Sequence, residues 1–94
     1  MAPEIRWSPR AVDDLESIGN YIARDSEIYA SLFIQNILTI IRHIPEFPTS
    51  GRIVPEYNNK ELREKIYGNY RIVYRIQHET IEIVAIHHGA RIFF

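Results

Sequence analysis

The hydrophobic period of this chain changes once, at Gly51, and that change limits the folds open to it. Before Gly51, apolar residues recur at intervals of three and four, the spacing of one stripe on a helix; after it they alternate, as one face of a strand does. Ala11, Leu15, Ile18 and Ile22 make the first stripe. Ser8 stands in front with the oxygen an N-cap needs, Pro9 takes the first helical position, where a missing N–H costs nothing, and Trp7 and Val12 have the spacing of a hydrophobic staple. Asp13, Asp14 and Glu16 fall in the early turns, where the helix dipole favours negative charge. The polar break ARDSE leads to a second stripe of Ala30, Phe33, Ile34, Ile37, Leu38, Ile41 and Ile44, which Pro45 and Pro48 bring to an end. So short a connection predicts an antiparallel helical hairpin. Ile28, Leu32 and Ile40 lie off the stripe, so either the strands or a partner must cover the excess apolar surface.

Beyond Gly51, RIVPEY reads as a short strand broken by its proline, LREKIY and YRIVYRI flank the Gly68-Asn69 turn, and TIEIVAIHH follows the polar turn QHE. Alternation places Tyr70, Ile72, Tyr74 and Ile76 on one face and Arg71, Val73 and Arg75 on the other. In the preceding strand it separates Leu62, Glu64 and Ile66 from Arg63, Lys65 and Tyr67. The apolar set belongs under the helices, and the opposite face reads as cationic. The predicted architecture is α+β: an N-terminal antiparallel helical hairpin packed on a small antiparallel β-sheet. At 94 residues it makes one domain, 1–94, around one core.

Charge narrows the functions. Eleven Lys and Arg stand against twelve Asp and Glu, a net charge of -1, whereas a protein that neutralises many phosphates carries a clear basic excess. Residues 1–50 hold 4 basic and 7 acidic groups and residues 51–94 hold 7 and 5, with three of the four histidines. Anion recognition is therefore expected in the C-terminal half. With no cysteine, disulfides, thiolate nucleophiles and cysteine-ligated zinc are excluded. No apolar run approaches a membrane span and the N-terminus lacks a signal-peptide core, so a cytoplasmic protein without membrane contact is expected.

His87 and His88 invite a metal, but neighbours on a strand point to opposite faces, and no third ligand has useful spacing. No metal or other cofactor is predicted. Ser8 is used as a cap, Ser26 and Ser50 have no histidine nearby in sequence, and the four glycines form no phosphate loop. Phosphodiester cleavage remains, since attack by a ribose 2'-hydroxyl needs a base, an acid and fixed positive charge. Arg52, Arg63, Arg71, Arg75 and Arg91 can supply the charge, His87 or His88 the proton transfer, and Glu56 or Glu64 a carboxylate base. The same residues also make an ordinary solvated sheet face with cross-strand ion pairs, and residue types alone leave both readings open.

WSPRAVDDLESIGNYIARDS, FPTSGR, LRE, YRIVYRI and IHHGAR, in that order and spacing from Trp7 to Arg91, resemble the RelE/ParE superfamily of toxins from bacterial type II toxin-antitoxin modules. The resemblance implies a small toxin of the predicted fold, held inactive by a cognate antitoxin wrapped around it, as a dimer or a heterotetramer with it. RelE-like members of the superfamily cut mRNA on the ribosome; ParE-like members poison DNA gyrase. Arg71 matches the arginine that RelE-like toxins use in catalysis, Arg63 corresponds less closely to another of their basic positions, and His87 or His88 would replace their terminal tyrosine. The absence of a tyrosine after Tyr74, the net charge, the helix pattern of Ala11, Asp14, Leu15, Ile18, Tyr21 and Ile22, and HGAR resemble ParE more. In a ParE-like toxin, Arg63, Arg71, Arg75, His88, Arg91, Phe93 and Phe94 would bind target or antitoxin. A toxin fold retained only as a binding module is a third reading.

Overall fold

The computed structural model describes residues 2–89. β1 (Glu4–Trp7) leads into α1 (Pro9–Ala23) and α2 (Glu27–His43), two short 3-10 turns follow, and β2 (Arg52–Ile53), β3 (Leu62–Tyr67), β4 (Tyr70–Gln77) and β5 (Thr80–His88) complete the chain. The strands form one sheet in the order β1-β5-β4-β3-β2. The α+β architecture and the hairpin of helices are as expected, and β2 to β5 form the antiparallel meander. The sheet as a whole is mixed, because β1 pairs in parallel with β5, from Glu4 opposite Thr80 to Trp7 opposite Ile83.

Ser8 joins strand to helix. Its Oγ accepts from the Ala11 amide at 3.0 Å, as an N-cap should, and donates to the Val84 carbonyl at 2.8 Å. Val73 faces Ala85 and Tyr74 faces Ile83, so Val84 is the extra residue of a β-bulge in β5. Asp14, expected to serve the helix dipole, lies past the first turn, and its carboxylate accepts from the Ile86 amide at 2.9 Å. Beyond the end of β1, helix side chains thus take over the edge of β5, where open backbone groups would invite another strand.

The helix stripes bury Ala11, Phe33, Ile37, Ile41 and Ile44 against Ile72, Tyr74, Ile81, Ile83 and Ile86. Each large side chain among these withdrawn from water contributes about 1.5–3 kcal/mol before entropy is counted. Val54, Leu62, Val73 and Ala85 form a smaller cluster on the opposite face, so the centre of that face is apolar. Of the off-stripe residues, Ile40 packs on the core, while Ile28 and Leu32 stay exposed, as do Tyr21 and Tyr29. Among the described residues no helix is long and apolar enough to cross a membrane.

Candidate functional site

Register decides which charged groups meet. Ile66 lies opposite Arg71 and Glu64 opposite Val73, so Leu62, Glu64 and Ile66 share the face of Arg71, Val73 and Arg75. Arg63 lies opposite Tyr74, on the other face. The expected single cationic face is therefore corrected: its arginines are divided between two faces, and carboxylates stand among those turned away from the helices.

Arg71 is 4% exposed. Its Nε donates to Glu64 Oε1 at 2.6 Å, while Nη1 and Nη2 donate to the two oxygens of Glu56 at 3.0 and 2.8 Å. Glu64 is fully buried, and its second oxygen accepts from Arg52 Nε. Two guanidinium groups and two carboxylates thus close a neutral cluster, which is how a charge is kept inside a protein without an uncompensated solvation cost. Glu56 reaches Arg71 from the loop after β2, and the pair borders a cavity of about 390 Å³ that Arg52, Ile66 and His88 also line. The hydrogen bonds from Arg71 are the largest cause holding the Glu56 carboxyl down at about 2, below its ordinary 4.5, and they raise the guanidinium in turn.

That shift predicts an acid signature. A carboxyl whose folded value is depressed stabilises the protein above its unfolded value and loses that contribution as pH falls. Glu56→Gln is expected to be less stable than the parent at pH 7, with the difference narrowing between pH 4.5 and about 2. Urea denaturation at pH 7 and pH 3 measures it; a difference unchanged at pH 3 would mean that Glu56 does not hold Arg71 in solution.

Arg63 serves the backbone. Its Nε donates to the Lys60 carbonyl at 2.9 Å, and Nη1 to the carbonyls of Thr49 and Gly51 at 3.1 Å each. Arg75 stands 3.6 Å from Glu82. His87 and His88 fall on opposite faces, as adjacent strand residues must. His87 is buried next to Arg71 in register, with Nδ1 2.9 Å from the His88 carbonyl, and that nitrogen must carry the hydrogen because a carbonyl only accepts. His88 lies edge-on to the Tyr70 ring. Tyr74, the last tyrosine, is buried; its hydroxyl donates to the Pro48 carbonyl at 2.6 Å and accepts from the Gly51 amide at 3.0 Å, and burial raises its pKa. Arg91, Phe93 and Phe94 lie outside the described residues.

One surface escaped the sequence reading. Trp7, Val12, Leu15, Ile34 and Leu38 line a groove of about 610 Å³ across the helical hairpin. The staple spacing of Trp7 and Val12 was its only local signal, since a groove needs two helices to be placed side by side.

A protein family described as the ParE toxin of the type II toxin-antitoxin system parDE matches residues 5–93. The candidate toxin Y4kP of Sinorhizobium fredii is 35% identical over 87 residues, which cover 90% of this chain and 86% of that protein. Toxin RelE2 of Caulobacter vibrioides is 30% identical over 90 residues, covering 95% and 98% respectively. Among solved structures, the chromosomal ParDE toxin-antitoxin system of P. aeruginosa contains a chain that superposes with a TM-score of 0.76 at 18% identity, over 93% of this chain and 96% of that one.

Proposed function

Because the chain belongs to the ParE toxin family of type II toxin-antitoxin systems, we propose that it arrests growth by binding a protein target, DNA gyrase, and does not cut RNA. The observation that carries this reading is the condition of Arg71. A phosphoryl intermediate needs positive charge aimed at it and not already compensated. Arg71 is buried, with its forked edge on Glu56 and its Nε on Glu64. A phosphate would have to displace one carboxylate and then sit beside the other. Arg63 holds backbone carbonyls and the Tyr74 hydroxyl is engaged inside the protein, so neither supplies what the RelE-like mechanism asks of those residue types.

The inhibitor in this reading is a co-encoded antitoxin. One solved structure that shares the fold is a toxin-antitoxin system, which supports a protein partner of that kind. The hairpin groove lined by Trp7, Val12 and Ile34 suits the apolar ridge of a helix, and the sheet face turned away from the helices, apolar at its centre, suits an extended segment.

The RelE-like endonuclease is kept as a second reading because Toxin RelE2 is among the relatives and His87 lies beside Arg71. It would make Arg71, Arg63, His87 and His88 catalytic, with the ribosome and mRNA as partners. Pulse-labelling bacteria within minutes of inducing the chain alone separates the two. Loss of thymidine incorporation with an SOS response, before methionine incorporation falls, is expected. Early collapse of translation with DNA synthesis intact would replace gyrase by the ribosome, and no change in either would leave a binding module without toxicity.

A further inference from the structure

The sheet face turned away from the helices carries a second cleft, of about 530 Å³, toward the opposite end of β4 from Arg71. Leu62 and Val84 give it an apolar base, while Arg10, Arg75, Tyr57 and Asn59 supply polar walls. Among the residues that line it there are two arginines and no carboxylate, in contrast to the neutral cluster around Arg71. The acids that accompany these arginines stand back: Asp14 is 3.6 Å from Arg10, and Glu82 is 3.6 Å from Arg75. Both distances exceed a charge-assisted hydrogen bond, and both guanidinium side chains are nearly half exposed, at 46% and 43%. An incoming carboxylate can therefore make a shorter contact with Arg75 than Glu82 makes. The base of the cleft is also shaped. The bulge at Val84 re-aims that side chain, and Ser8 Oγ holds the Val84 carbonyl in place.

From this we infer that the cleft binds an acidic residue and its apolar neighbour in a peptide segment of the antitoxin, with the carboxylate on Arg10 and Arg75 and the apolar side chain on Leu62 and Val84. The inference takes from the proposed function only the identity of the partner. The cleft's chemistry stands apart from whether gyrase is the target, so failure of one does not entail failure of the other.

The probe is acetyl-Glu-Leu-amide, titrated into the full-length labelled chain and followed by amide chemical shifts. Its neutral counterpart acetyl-Gln-Leu-amide and inorganic phosphate serve as the other two arms. Saturable shifts at Arg10, Tyr57, Asn59 and Arg75 are expected for the Glu peptide, with the Gln peptide about tenfold weaker, the ratio a charge-assisted hydrogen bond supplies. Arg75→Gln should weaken the Glu peptide by a similar factor; if that variant loses its dispersed spectrum, Arg10→Gln takes its place. Equal binding of the two peptides, no saturable shift, or phosphate binding as tightly as the Glu peptide would each overturn the inference. Were the titration to fail, the pulse-labelling result would still decide the target.

Discussion

Arg71→Ala is expected to cost about 3–5 kcal/mol of folding stability, the usual penalty for removing one member of a buried ion pair. Glu64 would be left fully buried, with Arg52 at one oxygen and nothing in place of the Nε donor at the other. Small domains have only about 5–15 kcal/mol in total, so much of the margin goes. A urea titration measures the loss; a change below about 1 kcal/mol, the size of a screened surface pair, would mean that water reaches the cluster. Removing both charges together, as in Arg71→Met with Glu64→Leu, should recover most of the loss, because no bare buried charge remains. The comparison bears on function. A single alanine variant that loses toxicity reports unfolding as readily as catalysis, whereas the folded double variant separates them. Retained toxicity in it would place Arg71 among structural groups, and loss of toxicity at full stability would return it to the groups that act on the target, by binding or by catalysis.

The helices and their caps were legible because their signals are local: Ser8, Pro9 and the stripe from Ala11 to Ile22 lie within one short stretch. β1 was not, since Glu4–Trp7 has only two apolar residues and its partner β5 begins at Thr80, far along the chain. The misreading of the charged face has a more instructive cause. Alternation tells which residues of one strand share a face, and says nothing of which set on the next strand joins them. The turn of Gly68 and Asn69 did contain that information, for a two-residue hairpin pairs Tyr67 with Tyr70 and hence brings Glu64 to the face of Arg71. Glu56 carried no such signal. It reaches Arg71 from the irregular loop after β2, and no period governs a loop.

Tyr74→Ala should be comparably damaging, at about 3–5 kcal/mol, because an aromatic ring at the centre of the core leaves a void its neighbours fill only in part. Tyr74→Phe isolates the hydroxyl: it leaves the Gly51 amide and the Pro48 carbonyl without that partner and is expected to cost about 1–3 kcal/mol. The pin works because residue 51 is glycine. A Cβ there would stand 2.5 Å from the Tyr74 hydroxyl and 2.7 Å from the Glu64 carbonyl, so any side chain would push the loop off the sheet. Arg63, directly opposite Tyr74 in register, holds the same loop through the carbonyls of Thr49 and Gly51, and β2 begins directly after it at Arg52. Losing the hydroxyl should therefore speed hydrogen exchange at Gly51 and Arg52 well before it affects β4 and β5. It should also remove a dependence on pH. Burial keeps the phenol protonated above its ordinary value of 10.0, so its contribution is complete below that pH and is lost as pH rises toward the folded value, a decline absent from the Phe variant. Toxicity gives the functional arm. A tyrosine acting as proton donor would take all toxicity with it in a folded Phe variant, whereas a structural pin predicts toxicity that follows the folded fraction.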